Sequence, residues 1–310
     1  MRKFIFKVAF FSALVGVTLA VSVICIPSLE MKGSLLGVAP FKVARLRTVQ
    51  PPRVIFVGGS NLSMGLNSCL VEEAFGRSVV NMGLHGGLGL AYMMEEVRPY
   101  VAKGDTIILV PEYSQYYSDN FYGNVEVLGV IFDVMPEKRK DIPLKQWIHL
   151  SRFLPNYAAR KLFNYVRWVF LRKEAGAHPA EQFNVYGDAV GHWQSRDEPV
   201  VPVKPIRGFS GLNSNYFDQI EIFVRENQNK GAKVVILPPC FQATSFDNIK
   251  PIIGKIEAEL LRRNLPLATA MSRYRIEDTL CSGTPYHLNK AGVDKRTELL
   301  VEDLRPLFIR

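Results

Sequence analysis

Two residues in this chain have the type and setting for nucleophilic chemistry. Ser60 follows the run Val54-Ile55-Phe56-Val57-Gly58-Gly59. Four apolar, mostly β-branched residues read as a buried strand, and the two glycines allow a tight turn after it. A serine between a strand and a helix stands at the C-terminal edge of an α/β sheet, where such folds build their sites. Its N–H, at a helix entrance, points the same way. His287 lies in Cys281-Ser282-Gly283-Thr284-Pro285-Tyr286-His287-Leu288-Asn289, the last loop before the last helical segment. If the sheet is parallel, that loop opens on the same edge. Imidazole is the usual base for a serine nucleophile, and the two can be remote in sequence yet adjacent in space. The simpler readings are a helix cap for each residue.

The elements that must position this pair alternate along the chain. Strands are expected at Val54–Val57, Ser78–Asn81, Thr106–Val110, Ala232–Leu237 and Leu265–Ala268. Helices are expected at Met64–Phe75, Leu88–Val101, Tyr216–Asn229, Asn248–Asn264 and Leu288–Leu304. Such alternation implies parallel βαβ units with right-handed crossovers, hence an α/β fold in three layers. Residues of about 113 to 215 interrupt the pattern as an insertion. Within it, Trp147 to Lys173 interleaves aromatic and basic residues, and Pro155 should divide it into two helices. A basic, aromatic-rich helix suits either a membrane interface or a lid with a solvated basic face. Residues 176 to 211 read as loop.

The N-terminus carries a targeting signal. Arg2, Lys3 and Lys7 precede Val8 to Ile26, a run without charge. At 1.5 Å per residue it spans about 28 Å, close to the hydrocarbon thickness. The basic flank stays in the cytoplasm, which puts the remaining chain on the other side. Thr18-Leu19-Ala20 offers a signal-peptidase site, but the apolar run continues past it, which favours an uncleaved anchor. Cys25 follows Ile24 and not the small residue of a lipoprotein signal. The expected organisation is an anchor over 1–27, a linker over 28–50 and a domain over 51–310. Lys42, Arg45 and Arg47 in the linker are placed to meet lipid headgroups.

Charged residues are 22% of the 310, and the formal net charge is +9. That excess suits an anionic surface such as phospholipid or an acidic polysaccharide. It also suits nucleic acid, against which the anchor's orientation argues. Cys69, Cys240 and Cys281 have no metal spacing. Cys240 and Cys281 reach one sheet edge, where a disulfide and two buried thiols are both open. Gly86-Gly87-Leu88-Gly89 lacks the phosphate-loop pattern, and the carboxylates show no metal spacing. No cofactor or metal is expected.

Three blocks together resemble the SGNH (GDSL-like) hydrolase superfamily: Val57-Gly58-Gly59-Ser60-Asn61, Val80-Asn81-Met82-Gly83-Leu84-His85-Gly86-Gly87 and Thr284-Pro285-Tyr286-His287-Leu288-Asn289. They are most similar to its membrane-anchored bacterial branch, which includes alginate O-acetylation proteins and the D-alanine transfer protein of teichoic acids. The resemblance covers residues 54 to 112 and 232 to 304. It implies a flavodoxin-like parallel sheet, with Ser60 as nucleophile and His287 as base. The N–H groups of Ser60 and Gly83 would meet the oxyanion, with Gly59, Asn61, Asn81 and His85 bordering the pocket. It further implies an O-acyltransferase or esterase acting on acyl groups, acetyl foremost, of an envelope or exported polysaccharide. A membrane-bound O-acyltransferase would be a partner, and the domain would sit outside the inner membrane on a single span through residues 8–26. The alternative is a catalytically impaired glycan-binding or scaffold protein.

Two positions depart from the family. Thr284 stands where the family has Asp, three residues before the histidine. After the third strand, Pro111-Glu112-Tyr113 replaces the Gly-x-Asn-Asp block. In a flavodoxin-like order, strands one and three are neighbours. Glu112 would then lie beside Ser60 and is a candidate to orient His287. Asp278 is an alternative. So is Asp188, on a loop that would fold over the site with His192.

Overall fold

The structure is a computed structural model that describes residues 1–26, 34–171 and 179–308. It is a mixed α/β fold with a parallel sheet and an N-terminal apolar helix. That helix, α1 (Arg2–Cys25), is long and apolar enough to cross a membrane. Part of the expected linker, together with Arg172 and Lys173 of the insertion, lies outside the described residues.

After α1 the elements follow in order. Helix α2 (Ala39–Thr48) precedes β1 (Val54–Gly58), and the turn α3 (Ser60–Ser63) carries the candidate nucleophile. The expected helix from Met64 starts later, as α4 (Ser68–Phe75), and Gly76 ends it with φ +59°. Strand β2 (Val79–Asn81), α5 (Gly89–Val97) and β3 (Thr106–Val110) come next. Helices α6 (Leu144–Ser151) and α7 (Leu154–Leu171) meet at Arg152-Phe153. Pro155 sits in the first turn of α7, where its missing N–H costs nothing. Then come α8 (Ser214–Asn229), β4 (Lys233–Ile236), β5 (Phe241–Gln242) and α9 (Ala243–Arg262). Helix α9 kinks at Ile249, two residues before Pro251. Strand β6 (Arg275–Ile276) and α10 (Lys290–Leu304) close the chain.

Two compact units emerge, residues 1–39 with 124–179, and residues 40–123 with 180–310. The second holds the sheet, in the order β2-β1-β3-β4, every pairing parallel. All residues of β1 and β3 are buried. Alternate side chains Val54, Phe56, Ile108 and Val110 join one core cluster with Val293, Leu300 and Leu304 of α10, as the two-residue strand period requires. The fifth strand expected at Leu265–Ala268 is reduced to one parallel bridge, Leu267 to Ile236. Strands β5 and β6 form a separate two-stranded pair that the sequence did not announce. Cys240 and Cys281 are buried free thiols.

The basic residues of α2 do not stand where a headgroup could meet them all. Lys42 is buried, because it falls on the helix face of Val43 and Leu46. Its ammonium donates to the Asn81 and Gly187 carbonyls at 3.0 and 2.5 Å. Burial pushes it down to about 7. Arg45 donates to the Val79 carbonyl and lies over the Tyr186 ring. Arg47 alone of the three is exposed.

In the first unit, α1 packs on α7. The Lys161 ammonium donates to the Val23 carbonyl at 2.9 Å and to Asp133 at 2.6 Å. Tyr157 donates to the same carboxylate.

Candidate active site

The site is built where β1 ends. Gly58 and Gly59 are glycines because side chains have no room: a Cβ on Gly58 would stand 2.6 Å from the Val110 carbonyl, and one on Gly59 would strike the Glu112 carboxylate. The chain can therefore run close under β3 and turn directly into α3. Ser60 is the first residue of that turn, so its N–H has no intrahelical acceptor.

His287 reaches Ser60 from the other end of the polypeptide. Its Nε2 lies 2.8 Å from Ser60 Oγ, across 227 positions of sequence. With neutral imidazole the hydroxyl donates and Nε2 accepts, the geometry of a general base on a nucleophile. The Thr284 hydroxyl accepts from the His287 and Tyr286 N–H groups at 3.2 and 3.3 Å. Thus Thr284 fixes the backbone of His287 and not its ring. Just beyond, Asn289 Oδ1 accepts from Gly292 N–H and caps α10. Burial, then the neighbouring His192 and His85, lower the His287 imidazole to about 4.

Among the described residues no carboxylate bonds the other ring nitrogen of His287. Glu112 accepts from Asn61 Nδ2 at 3.4 Å and caps the turn Tyr113–Tyr116 with Gln115. It sits against Gly59 and Gly86, next to the serine turn, but makes no bond to the histidine. Burial raises its carboxyl to about 7. Asp188 is fully buried and takes Ser68 N–H, Ser68 Oγ, Asn81 Nδ2 and Asn184 Nδ2 at 2.6 to 2.9 Å. Asp278 takes Thr244 N–H and Oγ1. The expected orienting roles of Glu112, Asp278 and Asp188 are therefore not met by these contacts. Glu112 and Asp188 satisfy local donors that would otherwise be buried unpaired, while the Asp278 pair with Thr244 is exposed.

Gly83, Asn81 and Asn61, expected at the oxyanion and the pocket border, are each engaged in other contacts. Gly83 N–H donates to Asn81 Oδ1 at 2.9 Å and is not free. Asn81 cannot turn away, because its amide also donates to the Leu62 carbonyl and to Asp188. It braces the floor of the site and presents no polar group to a ligand. Asn61 is likewise buried, between Glu112 and Arg296. His85 is half-buried, and its Nδ1 accepts from Gly87 N–H at 3.1 Å. His192 bonds the Leu288 carbonyl at 3.1 Å through Nε2, and burial lowers it.

Arg296 is the residue that sequence reasoning missed. It is 1% exposed, and its guanidinium donates to the Asn61 carbonyl, to the Gly65 carbonyl at 3.3 Å and to Asn61 Oδ1 at 3.3 Å. It thereby clamps α3 from behind. The signal was present: Val293, Arg296, Thr297, Leu300 and Leu304 form one helical stripe, with a cation among core residues. Among the described residues no cluster of three metal-ligating side chains occurs.

No protein-family model matches the chain. A stretch of 116 residues, 36% of the chain, is 28% identical to L-lactate dehydrogenase 2 of Lactobacillus acidophilus. The chain spans about a third of the length (35%) of this curated relative. The turn after β1 has glycines at 58, 59 and 65, without the G-x-G-x-x-G spacing of a dinucleotide-binding turn.

Proposed function

We propose that this chain is a membrane-anchored, extracytoplasmic SGNH-like enzyme, an O-acyltransferase or esterase acting on acyl groups, acetyl foremost, of an envelope or exported polysaccharide. The observation that carries the reading is the 2.8 Å contact between Ser60 Oγ and His287 Nε2 at the end of β1. The strand order 2-1-3-4, with Leu267 bridging β4 on its far side, fits a flavodoxin-like sheet of order 2-1-3-4-5. Fully buried β1 and β3 fit a three-layer arrangement. The basic flank of α1 favours a cytoplasmic N-terminus and a domain beyond the inner membrane. The net charge of +9 suits an anionic glycan.

In the first step Ser60 Oγ attacks the acyl carbonyl while its proton passes to His287 Nε2. The Ser60 N–H meets the oxyanion, and the imidazolium then protonates the leaving oxygen. In the second step a water or sugar hydroxyl gives its proton to His287 and attacks the acyl-serine, and His287 returns that proton to Ser60 Oγ as it leaves. A membrane-bound O-acyltransferase would supply the acyl group. Exposure of the full chain to p-nitrophenyl acetate should give a burst of p-nitrophenol that Ser60→Ala abolishes. A burst that survives Ser60→Ala would remove this nucleophile.

A second reading is a non-catalytic glycan-binding or scaffold protein of an acylation complex. It is favoured by the lack, among the described residues, of a carboxylate on the His287 ring and by the engaged Gly83 N–H. It expects no burst in either chain, with binding to an acidic polysaccharide equal in wild type and Ser60→Ala.

A further inference from the structure

The first unit carries an apolar face that the fold leaves bare. On α7, Tyr157, Ala158 and Lys161 are buried, with Asn164 and Tyr165 half-buried on the same side. The opposite side holds Leu162, Phe163, Val166, Val169 and Phe170, with exposures of 36, 65, 44, 47 and 79%. At 100° per residue these five fall in one sector of about 120°. Arg160 and Arg167, seven residues apart, line one border of that sector. Leu144 and Ile148, one turn apart on α6, are also exposed.

Two observations name what covers this face. The first is continuity with α1. Lys161, at the middle of α7, donates to the carbonyl of Val23, in the last turn of α1. If α1 spans the hydrocarbon through residues 8–26, that carbonyl lies where acyl chains give way to headgroups, and α7 is tied to the same level. The second is charge. From residue 142 to 173 the sequence contains no Asp or Glu, while Lys145, Arg152, Arg160 and Arg167 are basic, Lys161 being turned inward to Asp133. Such a helix, apolar on one side and cationic at its border, suits an anionic lipid surface.

We propose that α7 lies in the membrane interface, with Leu162, Phe163, Val166, Val169 and Phe170 among the acyl chains and Arg160 and Arg167 on anionic lipid phosphates. This rests on α1 being a membrane span.

The test uses the full chain in vesicles of phosphatidylcholine with about a third phosphatidylglycerol. Trp147, Trp168 and Trp193 are replaced by Phe, and one tryptophan is returned, as Phe163→Trp in α7 or Phe10→Trp in α1. Lipids brominated high on the acyl chain should quench the Phe163→Trp chain at least about twofold, and aqueous acrylamide should leave it largely unquenched. Lipids brominated near the bilayer centre should quench the Phe10→Trp chain. Quenching of position 163 by acrylamide and not by bromolipid, with position 10 quenched as expected, overturns the proposal and assigns the face to water or a protein partner. If position 10 also escapes bromolipid, the span itself fails and the proposal with it.

Discussion

Among the described residues no carboxylate stands behind the histidine that faces Ser60, and in the proposed mechanism this sets the pH dependence. With its imidazole lowered to about 4, His287 is neutral above that value, and at pH 7 only about one molecule in a thousand is protonated. In the proposed mechanism the base form is the active form. Phosphonylation of Ser60 by a fluorophosphonate, with loss of fluoride, should therefore be flat from about pH 5.5 upward and fall tenfold per unit only below about 4. The perturbation is Thr284→Asp. An Asp side chain can accept the same Tyr286 and His287 N–H groups as Thr284 does, so the loop should hold. A carboxylate near the imidazolium raises its pKa by about 1 to 3 units. The acid limb should move up to about pH 5 to 7, and the plateau rate should rise, because loss of a triad carboxylate costs up to about 10⁴ in turnover. Second-order labelling rates read by intact mass across pH 3.5 to 9 would show both changes. A wild-type limb already near 6.5 would mean that a carboxylate does meet His287, and the reasoning would be wrong. So would a Thr284→Asp profile that stays in register with wild type.

Other outcomes follow from contacts in the second unit. Arg296→Met leaves the Asn61 and Gly65 carbonyls buried without their donor, at about 1 to 3 kcal/mol each, so urea unfolding should show a loss of roughly 2 to 6 kcal/mol; an unchanged midpoint would deny the clamp. Gly59→Ala drives a methyl into the Glu112 carboxylate and should cost about 1 to 3 kcal/mol, while adding Glu112→Ala should recover part of it; strictly additive losses would count against that contact. Glu112 has its folded-state carboxyl raised to about 7 against an unfolded value of 4.5. Its contribution is complete below about pH 4.5 and lost as pH rises through about 7. The wild-type unfolding midpoint should thus fall between pH 5 and 8 relative to Glu112→Gln, and parallel curves would contradict it.

What the sequence made legible was mainly what periodicity and turn chemistry encode. Continuous apolar runs located β1 and β3 to within a residue, and a glycine pair followed by serine marked the turn into α3. Tertiary context decided the rest. Leu265–Ala268 has a strand's composition, but only Leu267 bridges β4. Two-residue β5 and β6 are too short for any period to register. The partner of His287 depends on loop conformation, and no spacing reveals that Glu112, Asp278 and Asp188 answer to local donors. Gly83 illustrates the same limit, since a side chain two residues earlier takes its N–H. Arg296 and Lys42 were readable in principle, as cations set inside apolar helical stripes, because a buried cation must find carbonyls or carboxylates.

The measurement closest to the central claim is the position of the acyl group. The full chain would be exposed briefly to an activated acetyl ester, quenched in acid and mapped by tandem mass spectrometry. Acetyl on the peptide that holds Ser60, present in wild type and absent from His287→Ala, is the expected result. Acetyl on other residues only, or equal acetylation of Ser60 in both chains, would contradict a serine made reactive by that histidine.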